Sequence, residues 1–187
     1  MSKLSVGNIL KPTASLLIIC VVVTFALSFT NNLTAKKIED LQNQSEKEAM
    51  SRIIEANSYT ECKITLDDET YTYYTADDPI QGYIFTLSSA GYGGQVSVMT
   101  GINLDGTIAS IEVLDASSET PGLGQSTTKP EFSEQFVGKS GQLSVTKSGA
   151  SKDNEIDAVT GATITSTAVT NSVNTALKLF EQIKEGM

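Results

Sequence analysis

The chain contains no histidine and no tryptophan, and it has two cysteines and four prolines. Without histidine there is no Ser-His-Asp or Cys-His machinery and no imidazole ligand for a metal. Two cysteines, Cys20 and Cys62, are too few for a thiolate zinc site or an iron–sulfur cluster within this chain. Basic residues are also scarce: 13 Lys plus Arg stand against 22 Asp plus Glu, a net charge of −9. That balance argues against nucleic acid as a partner, because its phosphates attract Lys and Arg in excess. What is present is 187 residues, 40% apolar and 19% charged. This is a globular mixture, long enough for one domain with a sizeable core.

Charge is missing altogether between Lys11 and Lys36. The apolar heart of that interval, Ala14 to Phe29, approaches with its flanking Thr and Asn residues the roughly 20 residues that cross a bilayer as a helix. A helix pairs its own backbone groups, as lipid demands. A cleaved signal peptide fits less well, since Leu33-Thr34-Ala35 is a poor cleavage site and the run is long. A lipoprotein anchor at Cys20 would want a small residue where Ile19 stands. An uncleaved single span is therefore expected. Lys3 and Lys11 before it nearly balance Lys36 and Lys37 after it, so the positive-inside rule does not decide its direction. All 22 acidic residues and 11 of the 13 basic ones follow the span, a net −11. This favours a short tail inside and an acidic domain outside the cytoplasm. Cys62 would then be the one thiol of the exported part and could form no disulfide within it.

Beyond the span, Ile38, Leu41, Ala49 and Ile53 recur at near-helical steps, predicting a stalk helix from Leu33 to Ile54. From Tyr59 the pattern turns to strand, clearest at Tyr71–Tyr74 and Tyr83–Leu87. Asp67, Asp68 and Glu69, like Asp77 and Asp78, lack the spacing of a calcium loop and read as solvated turns around Pro79 and Gly82. Gln95–Ile102 and Thr107–Leu114 alternate with period two on either side of Asp105-Gly106, a hairpin signal. Gln142–Thr146 reads as another strand. From Ser166 a helix carries one apolar stripe of Val169, Val173, Ala176, Leu177, Phe180 and Ile183. The fold class expected is α+β, with a mainly antiparallel sheet bracketed by helices.

Two segments depart from these patterns. Asp157 to Ser166 crowds small residues and hydroxyls at the start of the last helix, where free backbone N–H groups and the helix dipole favour an anion. Gly161 and Ala162 leave room for a bulky ligand, and Thr160, Thr163, Thr165 and Ser166 offer hydroxyls. An ordinary helix cap at Thr165 or Ser166 is the plainer reading of the same residues. The second segment is Glu119-Thr-Pro-Gly-Leu-Gly124. Pro121-Gly122 suits a type II turn, and bare backbone around Leu123 could present one apolar side chain to a flat ring. Gly91-Tyr-Gly-Gly94 reads as a tight approach into the following strand.

Together these segments resemble the FMN-binding RnfG family, a component of Rnf-type ion-translocating electron-transport complexes. They are also similar to the NqrC component of the sodium-pumping NADH:quinone oxidoreductase. The resemblance covers nearly the whole chain: the span, Gly91–Gly94, the Gly101–Gly106 hairpin, Glu119–Gly124 and Asp157–Thr165. The family's flavinylation motif is matched by Asp157, Thr160, Gly161, Ala162, Thr163 and Thr165, with Ala158 where glycine is frequent. The resemblance implies FMN joined through its phosphate to Thr163. It implies that a separate flavin transferase, using FAD and a divalent metal, installs it, with Asp157, Gly161 and Thr163 in the recognition sequence. Glu119, Thr120 and Leu123 match positions that lie against the flavin. Thr160, Gly161 and Ala162 complete the expected cofactor site.

The expected division is a cytoplasmic tail at 1–12, a transmembrane helix at 13–32, a stalk at 33–57 and an FMN-binding domain at 58–187. The function implied is an electron-relay component with no catalytic acid or base and no metal of its own. It would be embedded in the lipid bilayer beside the other membrane subunits of its complex. Three rivals stand beside it: the quinone-reductase component, a free-standing extracytoplasmic flavin reductase, and a non-redox binding domain in which Thr163 merely begins a helix.

Overall fold

The computed structural model describes residues 6–66, 68–77, 80–150 and 152–186, with backbone alone at 6–12, 32, 33 and 35–44. The expected turn residues Asp67, Asp78 and Pro79 and the stalk side chains Ile38 and Leu41 lie outside what is described. The chain forms two compact units, Met1–Lys47 and Glu48–Met187.

Helix α1 runs unbroken over Val6–Ile53. Within it Thr13–Asn31 is long and apolar enough to cross a membrane, with a mean hydropathy of 2.3. Side chains such as Leu16, Ile18, Val22, Phe25 and Phe29 are exposed there. The Thr30 and Thr34 hydroxyls donate to the carbonyls of Ala26 and Thr30, both at 2.8 Å. These hydroxyls are thus spent within the helix, which an apolar surrounding requires.

The second unit is α+β. Five strands, β1 (Ser58–Leu66), β2 (Glu69–Asp77), β3 (Gly82–Ala90), β4 (Gln95–Asn103) and β5 (Ile108–Asp115), form an antiparallel sheet in sequence order. The β4–β5 hairpin closes where the Gly106 N–H donates to Asn103 O at 2.9 Å. Gly106 sits there at φ +91, a backbone shape suited to glycine. Gly101 pairs with Ser110 but Ile102 with Ile108, so at this point β5 carries an extra residue, Ala109. That bulge turns Ile108 and Ile111, three apart, onto one face, where both join the main core.

The main core lies between that face and α3 (Thr163–Glu185). All six residues of the expected stripe are buried, together with Leu179. A short α2 (Pro130–Ser133) sends Phe132 into the same core, edge-on to Phe136 with ring centroids 5.5 Å apart. The opposite face of the sheet receives the last turns of α1 and the residue after it: Ala49, Met50, Ile53 and Ile54 pack on Ala76, Ile84 and Met99. A Cβ on Gly101 would stand 2.3 Å from the Ile53 side chain, so the missing side chain permits the contact. Arg52 bridges to Glu112 of β5 at 2.6 Å.

A parallel pair, β6 (Ser144–Thr146) with β7 (Glu155–Asp157), completes the unit. Both strands are held by amide side chains that imitate a strand partner. Asn174 of α3 accepts from Leu143 N and donates to Leu143 O, each at 2.9 Å. Gln135 accepts from Asp157 N at 2.7 Å and donates to Asp157 O at 3.3 Å. The expected order of strands and terminal helix is present; β7, α2 and the start of α3 at Thr163 instead of Ser166 are differences from the sequence reading.

Candidate functional site

The start of α3 has the character of an anion site. Thr163 is its first residue, and the preceding Ala162 provides no side-chain cap. The plainer cap reading does not hold. The Thr165 hydroxyl is turned to Glu119. Ser166 Oγ donates to Ala162 O at 2.9 Å and accepts from Val159 N at 3.1 Å, folding the approach segment back on the helix. First-turn amides of a helix have no partner within it, and the dipole adds positive potential there. Gly161 enters this turn at φ +77, and a Cβ on it would lie 3.1 Å from Leu123 Cδ2.

Glu119 sits beside this helix start, 2% exposed. Its Oε2 accepts from Thr165 Oγ1 at 2.5 Å and its Oε1 from Gly93 N at 2.8 Å. The space is made by missing side chains: a Cβ on Gly124 would fall 2.6 Å from Glu119 Oε2, and one on Gly93 2.0 Å from Ser118 O. The Gly91–Gly94 loop therefore does more than lead into β4. Burial by itself would push the Glu119 carboxyl up. Hydrogen bonds from Thr165 and from the amides of Gly93, Gly94 and Tyr92 outweigh it and hold the group below the usual glutamate range.

Glu119, Thr120, Leu123, Gly161, Ala162 and Thr163 border a single cleft of about 520 Å³. The Pro121-Gly122 turn is present, with Leu123 N donating to Thr120 O at 3.1 Å and Gly122 at φ +76. Leu123 is 42% exposed, and Tyr92 and Ile164 on the same cleft are 72% and 55% exposed. Lys147, just after β6, supplies a cation. Asp157 and Thr160 border a neighbouring cleft of about 380 Å³ with Ser126, Lys129 and Gln135. Sequence reasoning missed Tyr92, Lys147 and Ile164. A lone lysine after a three-residue strand carries no pattern, and Tyr92 reads with its glycines as a strand approach.

Comparison with known proteins agrees with this geometry. A family model described as the FMN-binding domain matches residues 91–178, which contain the whole cleft. The G component of the Na⁺-translocating ferredoxin:NAD⁺ oxidoreductase complex of Acetobacterium woodii is 34% identical, over 91% of this chain and 90% of that protein. The G component of the ion-translocating oxidoreductase complex of Methanosarcina acetivorans is 33% identical, over 91% and 93%. Among solved structures, the C component of the Na⁺-translocating NADH-quinone reductase of Parabacteroides distasonis superimposes with a TM-score of 0.51 and 28% identity. That match covers 59% of this chain and 63% of that one, less than two thirds of its length. NqrC of Shewanella oneidensis shares the fold, with a TM-score of 0.53 at 20% identity over 67% of this chain and 70% of that one. With its FMN-binding domain built around the start of α3, the chain belongs to the RnfG family of ion-translocating oxidoreductase components.

Proposed function

We propose that this protein is a single-span, membrane-anchored electron-relay component whose FMN is joined by a phosphoester to Thr163, with the flavin domain outside the cytoplasm. The observation that carries the reading is the placement of Thr163. It opens an uncapped helix, half-buried, on a cleft that has a cation at Lys147 and exposed apolar side chains at Leu123, Ile164 and Tyr92. Those residues suit the two ends of FMN. The first-turn amides of α3 and Lys147 would hold the phosphate, and the three apolar side chains would cover the ring system. Gly161, with no side chain, keeps the backbone open between them.

During maturation Thr163 Oγ1 would attack the FMN phosphorus of FAD. The bond to the adenylate breaks and the hydroxyl proton is released. A flavin transferase would supply the metal and the base, since the one carboxylate on the described cleft, Glu119, is already bonded to Thr165 and Gly93. Lys147 would then face the one charge left on the diester. When bound, FMN supplies one-electron chemistry that no side chain here provides. The protein's share is to exclude water with Leu123 and Ile164 and to keep the cofactor from being lost by dilution. Its partners would be the other membrane subunits of an Rnf-type complex. The whole complex would move electrons between ferredoxin and NAD and couple this to Na⁺ or H⁺, as the relatives' names describe for them. Intact mass and peptide mapping of protein from a host with an active flavin transferase test the reading. The expected product is one FMN on the Thr163 peptide; unlabelled protein overturns it.

A further inference from the structure

Glu119 is a charged side chain shut off from water at the cleft, and both its carboxylate oxygens are already engaged by the protein. An ionised carboxylate only accepts hydrogen bonds. Here one oxygen takes the Thr165 hydroxyl of α3 and the other the Gly93 amide of the β3–β4 loop. These donors lie in segments far apart in sequence, and Glu119 itself begins the turn that carries Leu123. Three walls of the cleft therefore meet at one side chain. The surrounding glycines allow no other side chain to share the space.

We propose that Glu119 is a positioning residue: its buried carboxylate ties Thr165, two residues past the attachment threonine, to the Gly91–Gly94 loop, and so sets how Thr163 and Leu123 face the flavin. This deepens the covalent-FMN reading and rests on it. Glu119 acts through its neighbours, since both its carboxylate oxygens are already taken by Thr165 and Gly93.

The test uses the full-length protein in detergent, unlabelled, with flavin transferase, FAD and Mg²⁺. Thr165→Val keeps the shape of the side chain and removes the donor; Glu119→Ala removes the tie. Both should slow FMN transfer to Thr163 by about a hundredfold, since small misplacements of a reacting group cost that much. Thr165→Ser keeps the hydroxyl. Glu119→Gln can still accept from Gly93 and donate to the Thr165 oxygen. Both should be labelled within a few-fold of the parent. Before labelling, amide exchange at Gly93 and Ser166, whose N–H groups are bonded to Glu119 and to Ala162 O, should quicken about tenfold in Thr165→Val, with Val173–Leu179 still protected. Equal labelling of all four variants overturns the proposal, as does Glu119→Gln falling as far as Glu119→Ala, which would mark a charge acting on the flavin directly. If Thr165→Val loses protection throughout α3, the Gln and Ala pair decides alone. A parent chain that takes no FMN overturns the covalent reading instead, and the exchange rates then decide the tie by themselves.

Discussion

A phosphoester at position 163 asks for a hydroxyl and little else. Thr163→Ser should still accept FMN at least in part, and Thr163→Ala should accept none, both read by intact mass. Label retained on the alanine variant would place the ester elsewhere, with Thr160 and Thr165 the nearest hydroxyls in the motif. Their surroundings already separate them. Thr160 borders the neighbouring cleft, and the Thr165 hydroxyl is committed to Glu119. Leu123→Asp should leave attachment intact yet lower the flavin's midpoint potential, because a carboxylate beside the ring disfavours the added electron. An unchanged redox titration would remove Leu123 from the ring's surroundings. The helix start around Thr163 was legible in the sequence as a place for an anion because its signal is local: small residues and hydroxyls next to a helical stripe; the choice of Thr163 among those hydroxyls rested on the family resemblance alone. The Glu119 tie was not legible, since its partners lie 26 and 46 residues away and such a distance leaves no periodicity to detect.

The β4–β5 hairpin could be read because alternation and an Asp-Gly turn are both short-range signals. β7 could not, since Glu155–Asp157 has three residues and no period to show. The start of α3 reads late from sequence because Ala162 is no capping residue; tertiary contacts, not a cap, begin that helix. Asn174 illustrates what such contacts are worth. Asn174→Ala should leave the Leu143 N–H and C=O buried without partners and cost about 1–3 kcal/mol, seen as a lower midpoint in urea. It should also loosen the strand leading to Lys147. The end of α1 belongs to the folded domain in the same sense. A chain beginning at residue 48 should be soluble and well folded. One beginning at residue 58 loses Met50, Ile53 and Ile54 from the sheet face. At about 1.5–3 kcal/mol for each large apolar side chain, it should bind a hydrophobic dye or precipitate. Equal thermal stability of the two chains would show that the helix end adds nothing.

The molecule should lose stability in acid, and the sign follows from its carboxyls. Glu119, Asp105 and Asp115 are all held below their usual ranges. For Glu119 hydrogen bonds overcome burial; for Asp105 the donor is Thr107, and for Asp115 it is Ser117. Such groups stabilise the fold fully above the unfolded carboxylate range, about 4, and the benefit disappears as pH falls through the lower folded values. Melting temperature should therefore be flat from neutrality to about pH 5 and fall below it. Thr165→Val should make that fall shallower, because Glu119 then has less to lose. Fold class and the long apolar helix were legible from composition and periodicity, which sum over many residues. The cleft was legible in its two glycine-bearing motifs but not in Lys147, Tyr92 or Ile164, which join it through the way the chain returns on itself.

Thr163 is rooted in a 23-residue helix whose inner face is sealed against the sheet. Cargo fastened at such a point would have only its own ribityl-phosphate chain to swing on. It could not add to that the sweep of a loose loop. Any longer journey between donor and acceptor would fall to the entire folded body.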